Sequence, residues 1–283
     1  MRILITGANG QLGNEMRDVL SKKNHIETLF TDVAELDICD TQAVDTLVEQ
    51  FRPKYIINCA AYTAVDRAED DKAFAQRLNC DAVQNLAIAA TKNAAKIVHI
   101  STDYVFDGKG TTPYTEDMPT DPQSVYGLTK LAGENILQKI CPDSIIIRTA
   151  WLYSPFGNNF VKTMLRMGRE RGGVSVVADQ VGTPTYANDL ARAIVHIVEG
   201  EQFVPGIYHY SNDGVCSWYD FAVAIFEESG VSCKVNAIST ADYPTKAVRP
   251  HYSVLDKGKI KAVYEVEVPH WRESLVACLN RMQ

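Results

Sequence analysis

The sequence predicts an α/β fold with a doubly wound parallel sheet and a smaller C-terminal lobe. Three observations predict it. Short, continuously apolar runs recur through the first 150 residues, stretches with helical spacing separate them, and a glycine-rich turn follows the first run. A strand that is apolar at every position must be covered on both faces, and helices between parallel strands supply that cover.

Arg2–Thr6 (RILIT) reads as the first strand, and Gln11–Ser21 as a helix with Leu12, Met16, Val19 and Leu20 on one side. Glu27–Phe30 is a second strand ending just before Asp32. Thr41–Phe51 is a helix stopped by Pro53, because proline disfavours helical geometry in the residue before it. Tyr55–Asn58 is a third strand, and Asp71–Asn93, rich in Ala and Leu, reads as one long helix. Lys96–Ser101, the helix Val125–Lys139 and the strand Ser144–Thr149 complete this half. Beyond it lie a helix near Asn159–Arg171, a strand at 174–178, a helix near Tyr186–Val198, a strand at 206–211, a helix near Trp218–Glu228 and a proline-punctuated tail. No repeat, low-complexity run or linker interrupts the chain.

Composition narrows the class. With 46% hydrophobic and 22% charged residues the chain is an ordinary globular protein. A net charge of −7 argues against a nucleic-acid surface, which needs clustered Lys and Arg. No apolar run approaches the roughly 20 residues of a membrane helix, and the start carries no signal-like segment. The expectation is a cytoplasmic enzyme without nucleic-acid or membrane partners. Seven cysteines form no CxxC pair and the six histidines show no HxxxH spacing, so free thiols and no metal site are expected.

The first strand runs into Gly7-Ala8-Asn9-Gly10-Gln11-Leu12-Gly13. Glycines there permit a tight turn and let backbone N–H groups approach a pyrophosphate, while the following helix points its positive end at that anion. The setting between a strand and an amphipathic helix is that of a Rossmann dinucleotide turn. Asp32, 19 residues after Gly13, can accept hydrogen bonds from an adenosine ribose and repels a 2′-phosphate. NADH is therefore favoured over NADPH, with Lys22 and Lys23 nearby to soften the preference. Residues 1–150 are read as the dinucleotide-binding domain, and 151–283 as mainly a substrate-binding lobe with elements returning to the Rossmann core.

Tyr126 and Lys130 fall at i and i+4 on one face of a predicted helix. A free tyrosine titrates near pH 10, and a neighbouring ammonium lowers that value toward useful acid–base strength. Thr102, where the fourth strand ends, can hydrogen-bond a reacting carbonyl and fix it for hydride attack. Together these residues describe a carbonyl reductase.

The segments TGANGQLG at 6–13, NCAAYTAVD at 58–66, STDYVFDG at 101–108, YGLTKLAGE at 126–134, RTAWLY at 148–153 and GNNFVKTML at 157–165 resemble the dTDP-4-dehydrorhamnose reductase family, a branch of the extended short-chain dehydrogenases. The resemblance covers nearly the whole chain. It implies reduction of the 4-keto group of dTDP-4-dehydro-L-rhamnose, a nucleotide-sugar substrate. It gives Tyr126 the role of proton donor, Lys130 that of its pKa modulator and Thr102 that of the carbonyl-orienting hydroxyl. It puts Gly10, Gln11 and Leu12 along the cofactor pyrophosphate beside Gly7 and Gly13, with Asp32, Asp37 and Ile38 around the adenosine. Ala61, Tyr62 and Thr63 then pass under the nicotinamide side, while Asp103, Trp151 and Val65 touch the sugar nucleotide. Some members of that family are homodimers with interfacial magnesium and others are not. No carboxylate set for such an ion is identified here.

Duller readings stand beside these. Trp151 could be core, Ala61–Thr63 an ordinary loop, and Arg148 either a phosphate contact or the partner of a buried carboxylate. Two other functions remain on the table: a nucleotide-sugar epimerase or dehydratase, and a non-catalytic regulatory subunit such as that of methionine adenosyltransferase. Against a dehydratase, Asp103 is followed by Tyr104 rather than by glutamate. Against a regulatory protein, Thr102, Tyr126 and Lys130 are all present.

Overall fold

In the computed structural model, which describes residues 1–282, the apolar runs form strands and the spaced stretches form helices. The chain runs β1 (Arg2–Thr6), α1 (Gln11–Leu20), β2 (Glu27–Thr31), α2 (Thr41–Phe51), β3 (Tyr55–Asn58), α3 (Val65–Ala68), α4 (Lys72–Gln76), α5 (Ala82–Lys92) and β4 (Lys96–Thr102). It continues through α6 (Val125–Ile140), β5 (Ile145–Thr149), β6 (Leu152–Tyr153), α7 (Phe160–Arg171), β7 (Gly173–Val177), β8 (Val181–Gly182), β9 (Thr185–Tyr186), α8 (Ala187–Glu199) and β10 (Gly206–His209). The last part holds β11 (Cys216–Ser217), α9 (Trp218–Ser229), β12 (Lys234–Ile238), α10 (Gly258–Tyr264) and α11 (Trp271–Asn280).

Six strands form one parallel sheet in the order β10-β5-β4-β3-β1-β2. Side chains alternate across it, which is why the strands read as apolar throughout. Ile3, Ile5, Ile57, Val98, Ile145 and Ile147 face one way, onto α1 and α8. Leu4, Ile56, Ile97 and Ile146 face the other way, onto α2, α5 and α6. Burying an aliphatic side chain of this size is worth about 1.5–3 kcal/mol, so each face demands a helical layer. This is the doubly wound arrangement. The chain turns one way across the sheet after β1 and the other way after β2, so the switch point lies between β1 and β3.

The strand expected at 206–211 is β10, and it pairs with β5, so the C-terminal half contributes to the main sheet. The rest of that half builds a separate core. Helices α7 and α9 pack on the parallel pair β7–β12, and α11 packs on α9, burying Val161, Leu165, Val174, Phe221, Ile225 and Leu275. The proline-punctuated tail contains β12, α10 and α11, which periodicity alone did not mark. β12 is largely exposed and α10 has only 7 residues, so neither carries a strong apolar pattern.

One expected element differs. The helix read over Asp71–Asn93 is α4 and α5 joined by a π-helical turn at Arg77–Asp81. The extra residue in that turn is compatible with a helical pattern, so spacing does not reveal it. Such insertions are frequent at functional sites, and here it holds buried Asn79 toward the crevice described below. Among the described residues every cysteine is a free thiol, and no helix is long and apolar enough to cross a membrane.

Candidate active site

The switch point is tied together by Thr6, whose hydroxyl donates to Asn58 Oδ1 at 2.7 Å between paired ends of β1 and β3. The chain then turns at Gly7, with φ of 65°. A Cβ there would stand 2.6 Å from the Ala60 nitrogen, so only glycine fits. Gly10 N–H donates back to the Gly7 carbonyl at 3.1 Å, and α1 starts directly after it. Gly13 packs α1 onto the same turn, since its Cβ would lie 2.4 Å from the Gly7 oxygen.

Asp32 braces this turn. One carboxylate oxygen accepts from Asn9 N–H at 2.9 Å and the other from Val33 N–H at 2.8 Å. A cavity of about 560 Å³ opens beside it, lined by Gly7, Gly10, Asp32, Asp37, Ile38 and Ala61. Phe74 and Arg77 also line it, and neither was expected. Phe74 is a large apolar side chain left 44% exposed, and Arg77 has no carboxylate partner within salt-bridge distance among the described residues.

A second cavity of about 520 Å³ shares Gly10, Cys59 and Ala61 with the first. Gln11, Leu12, Thr63, Val65, Thr102, Asp103, Tyr126, Lys130 and Trp151 all line it. The structure thus brings nearly every expected residue into two adjoining hollows at the carboxyl edge of the sheet. Gly13 and Tyr62 line neither of them. Tyr62 instead has its backbone clasped by Asn79, which accepts from Tyr62 N–H at 2.8 Å and donates to the Tyr62 carbonyl at 3.2 Å. The same amide donates to Thr129 Oγ1 at 3.1 Å, so the π turn locks the loop after β3 to α6.

Tyr126 sits in the first turn of α6, capped by Ser124, whose hydroxyl accepts from Gly127 N–H at 3.2 Å. Its phenol lies within hydrogen-bonding reach of Thr102, and its ring meets Tyr104 edge-on at 5.4 Å. The Thr102 hydroxyl donates to Asp103 Oδ1 at 2.9 Å. One helical turn on, Lys130 is 1% exposed and donates to the Ile100 carbonyl at 2.6 Å, with His99 Nε2 at 3.3 Å. His99 is held in turn by Asn58 at 3.0 Å.

Burial dominates the electrostatics. It pushes Tyr126 up, with the Thr102 hydroxyl acting the other way and Asp103 and Tyr104 adding to the rise. It brings Lys130 down to about 8, and Glu134 opposes that. It raises Asp103 to about 6. The expected lowering of Tyr126 by Lys130 is therefore not what the structure shows. The ammonium is engaged by the Ile100 carbonyl and His99, and desolvation outweighs any attraction.

Trp151 has φ of 49°, unusual for a bulky residue, and its ring stacks on Trp218 at 3.5 Å with the planes 9° apart. Both rings face the second cavity, so Trp151 is a wall of the site rather than core. Arg148 makes a buried two-pronged pair with Glu134, at 3.0 Å and 2.7 Å, and takes the carboxylate reading. Trp218, Ser253, Asn79, His99, Phe74 and Arg77 were missed. They come from segments far apart in the chain, and none stands in a motif that names it.

The family model described as the RmlD substrate binding domain matches residues 1–283. A dTDP-4-dehydrorhamnose reductase of Aggregatibacter actinomycetemcomitans is 45% identical, covering 97% of this chain and 97% of that protein. The crystal structure of a dTDP-4-dehydrorhamnose reductase from Clostridium acetobutylicum superposes with a TM-score of 0.96 at 46% identity, covering 100% of both chains. The Bacillus anthracis dTDP-4-dehydrorhamnose reductase in complex with NADP superposes with a TM-score of 0.95 at 40% identity, covering 99% of both. The residues that carry the resemblance, the sheet that gathers them and the likeness over the full length agree: the chain belongs to the dTDP-4-dehydrorhamnose reductase family.

Proposed function

We propose that the protein reduces the 4-keto group of dTDP-4-dehydro-L-rhamnose to give dTDP-L-rhamnose, using a reduced nicotinamide dinucleotide, in the cytoplasm. The observation that carries this reading is the meeting of Thr102, Tyr126 and Lys130 in a cavity continuous in its lining with the glycine-turn cavity. The first hollow fits a dinucleotide: its floor is a turn that admits no Cβ at Gly7, and its mouth is the start of α1. Residues 1–150 supply that floor, and Trp151 and Trp218 close the substrate side.

When bound, the cofactor supplies the hydride that reaches C4. Tyr126 holds the proton delivered to the developing alkoxide, and its raised pKa keeps it protonated until then. Thr102, beside the same phenol, would orient the carbonyl. Lys130, held by Ile100 and His99 in the lining of the same cavity, would hold the ribose hydroxyls of the nicotinamide half. Trp151 and Trp218 exclude water and offer an aromatic wall to the nucleotide sugar.

The two dinucleotides compete through opposed features. Asp32 lines the hollow where it would meet an adenosine ribose and disfavour a 2′-phosphate, which supports NADH. Arg77, lining the same hollow, offers a guanidinium to that phosphate, which supports use of NADPH as well.

The test follows loss of NADH, and separately NADPH, on enzymatically made dTDP-4-dehydro-L-rhamnose. Wild-type protein should oxidise both, and Tyr126→Phe should lose on the order of 10²–10⁴-fold in turnover while still binding cofactor. Retention of more than about half of wild-type turnover would remove Tyr126 from the role of proton donor. Absence of turnover with either cofactor would favour the regulatory alternative.

A further inference from the structure

The resemblance gives the buried acid Asp103 a contact with the sugar nucleotide, and the reaction so described asks nothing of its proton. Asp103 follows β4 directly, is 3% exposed and lines the same cavity as Tyr126. Its Oδ1 takes the Thr102 proton at 2.9 Å. Its Oδ2 is buried, and among the described residues no group meets it in hydrogen-bond geometry, although Ser253 from the segment before α10 lies close enough to ease its ionisation.

A hydroxyl has one proton to give and two lone pairs to receive with, whereas a carboxylate can only receive. While Asp103 is ionised, the Thr102 proton is committed to it. Thr102 can then only accept, as it does from Tyr104 N–H at 3.3 Å. In that state Thr102 has nothing to donate to a substrate carbonyl. A protonated Asp103 reverses the sense: the carboxyl donates to Thr102, and the Thr102 proton becomes free to point at the carbonyl oxygen.

We infer that Asp103 is a positioning residue whose protonation decides whether Thr102 donates to the substrate carbonyl. The inference rests on the reading of the site as a carbonyl reductase. Other groups around Asp103 do not cancel the effect. Tyr126 faces it from α6 and Tyr104 from its own turn, both neutral phenols pushed up by burial. Arg249 is bound to the Tyr104 hydroxyl at 3.0 Å and compensated by Asp66 at 2.5 Å. Lys130, further along α6, is turned to Ile100 and His99. Ionised Asp103 also raises the Tyr126 pKa, so protonating it makes the phenol a better donor as well. A carboxyl raised to about 6 by burial makes the switch in a range where the enzyme can be assayed.

The experiment measures kcat and KM on either side of about pH 6 for wild type and Asp103→Asn. Wild-type kcat should rise on the order of tenfold to 10²-fold as the pH falls through that midpoint, with KM little changed. Asp103→Asn, whose amide can donate to Thr102 at every pH, should lose this limb. The same limb in Asp103→Asn, or a flat wild-type profile, overturns the inference. A second readout needs no turnover: the Asp103 carboxyl carbon, followed by NMR, should titrate near 6 and move higher in Thr102→Val. Titration in the ordinary carboxylate range, or indifference to Thr102→Val, overturns it even in a protein that reduces nothing. That outcome is separable from failure of the reductase reading, which would show as no oxidation of cofactor at any pH.

Discussion

Tyr126, Lys130 and Asp103 crowd one wall of the crevice, and desolvation is the largest influence on all three. Each is moved toward its neutral form, because a low-polarity surrounding penalises charge whatever its sign. Asp103 carries a measurable consequence for stability. Its carboxyl rises from 3.8 to about 6 on folding, so the folded state binds the proton more tightly than the unfolded chain. The stabilisation belongs to the protonated form: it is fully present below about pH 4 and is lost as the pH rises through about 6. At about pH 8 Asp103→Asn should therefore be more stable than wild type, by up to about 3 kcal/mol at one pKa unit per 1.36 kcal/mol. The advantage should shrink toward about pH 4. Urea unfolding at the two values checks it, and equal destabilisation at both would mean that the ionised carboxylate has partners strong enough to offset its burial.

Among the elements, the π turn between α4 and α5 does most to shape the site without touching its chemistry. It turns Asn79 onto Tyr62 and Thr129, which ties the loop after β3 to the middle of α6. Gly133 allows this approach, since a Cβ there would stand 2.2 Å from the Asn79 carbonyl oxygen. Gly to Ala in a helix ordinarily stabilises by roughly 0.5–1 kcal/mol. Here a backbone oxygen blocks the methyl group and cannot rotate away, so overpacking decides the sign. Gly133→Ala should cost about 1–3 kcal/mol and weaken cofactor binding by displacing Ala61–Thr63. Denaturant unfolding and a cofactor titration read the two effects, and a stabilised variant with unchanged affinity would show that the helices can part without loss. The Glu134–Arg148 pair, equally buried, joins the same stretch of α6 to β5.

At the scale of the molecule, the sheet is not completed by the first 150 residues. β10 extends it beyond β5, and α8 covers the face that carries Ile3, Ile5, Ile57 and Ile147. A chain ending at Ala150 should therefore fail to fold cooperatively, because one apolar face and one strand edge would lie open to water. Near-ultraviolet circular dichroism and a melting curve test this; a sharp two-state transition would show that α1 alone suffices. Much was legible beforehand. Continuous apolar strands such as YIIN and IIIRT specify a sheet covered on both faces, the turn from Gly7 to Gly13 is a local motif, and Tyr126 and Lys130 share a helix face by spacing alone. Such features depend on neighbours within a few residues, so local order along the chain is enough to specify them, and with them the family. Long-range packing sets the rest: that Lys130 turns to Ile100 instead of charging Tyr126, that Asp32 braces the turn, that Trp218 stacks on Trp151, and that Ser253 comes up beside Asp103. Burial and the direction of a hydrogen bond arise from what distant segments pack together, and a residue's place in the chain does not record them.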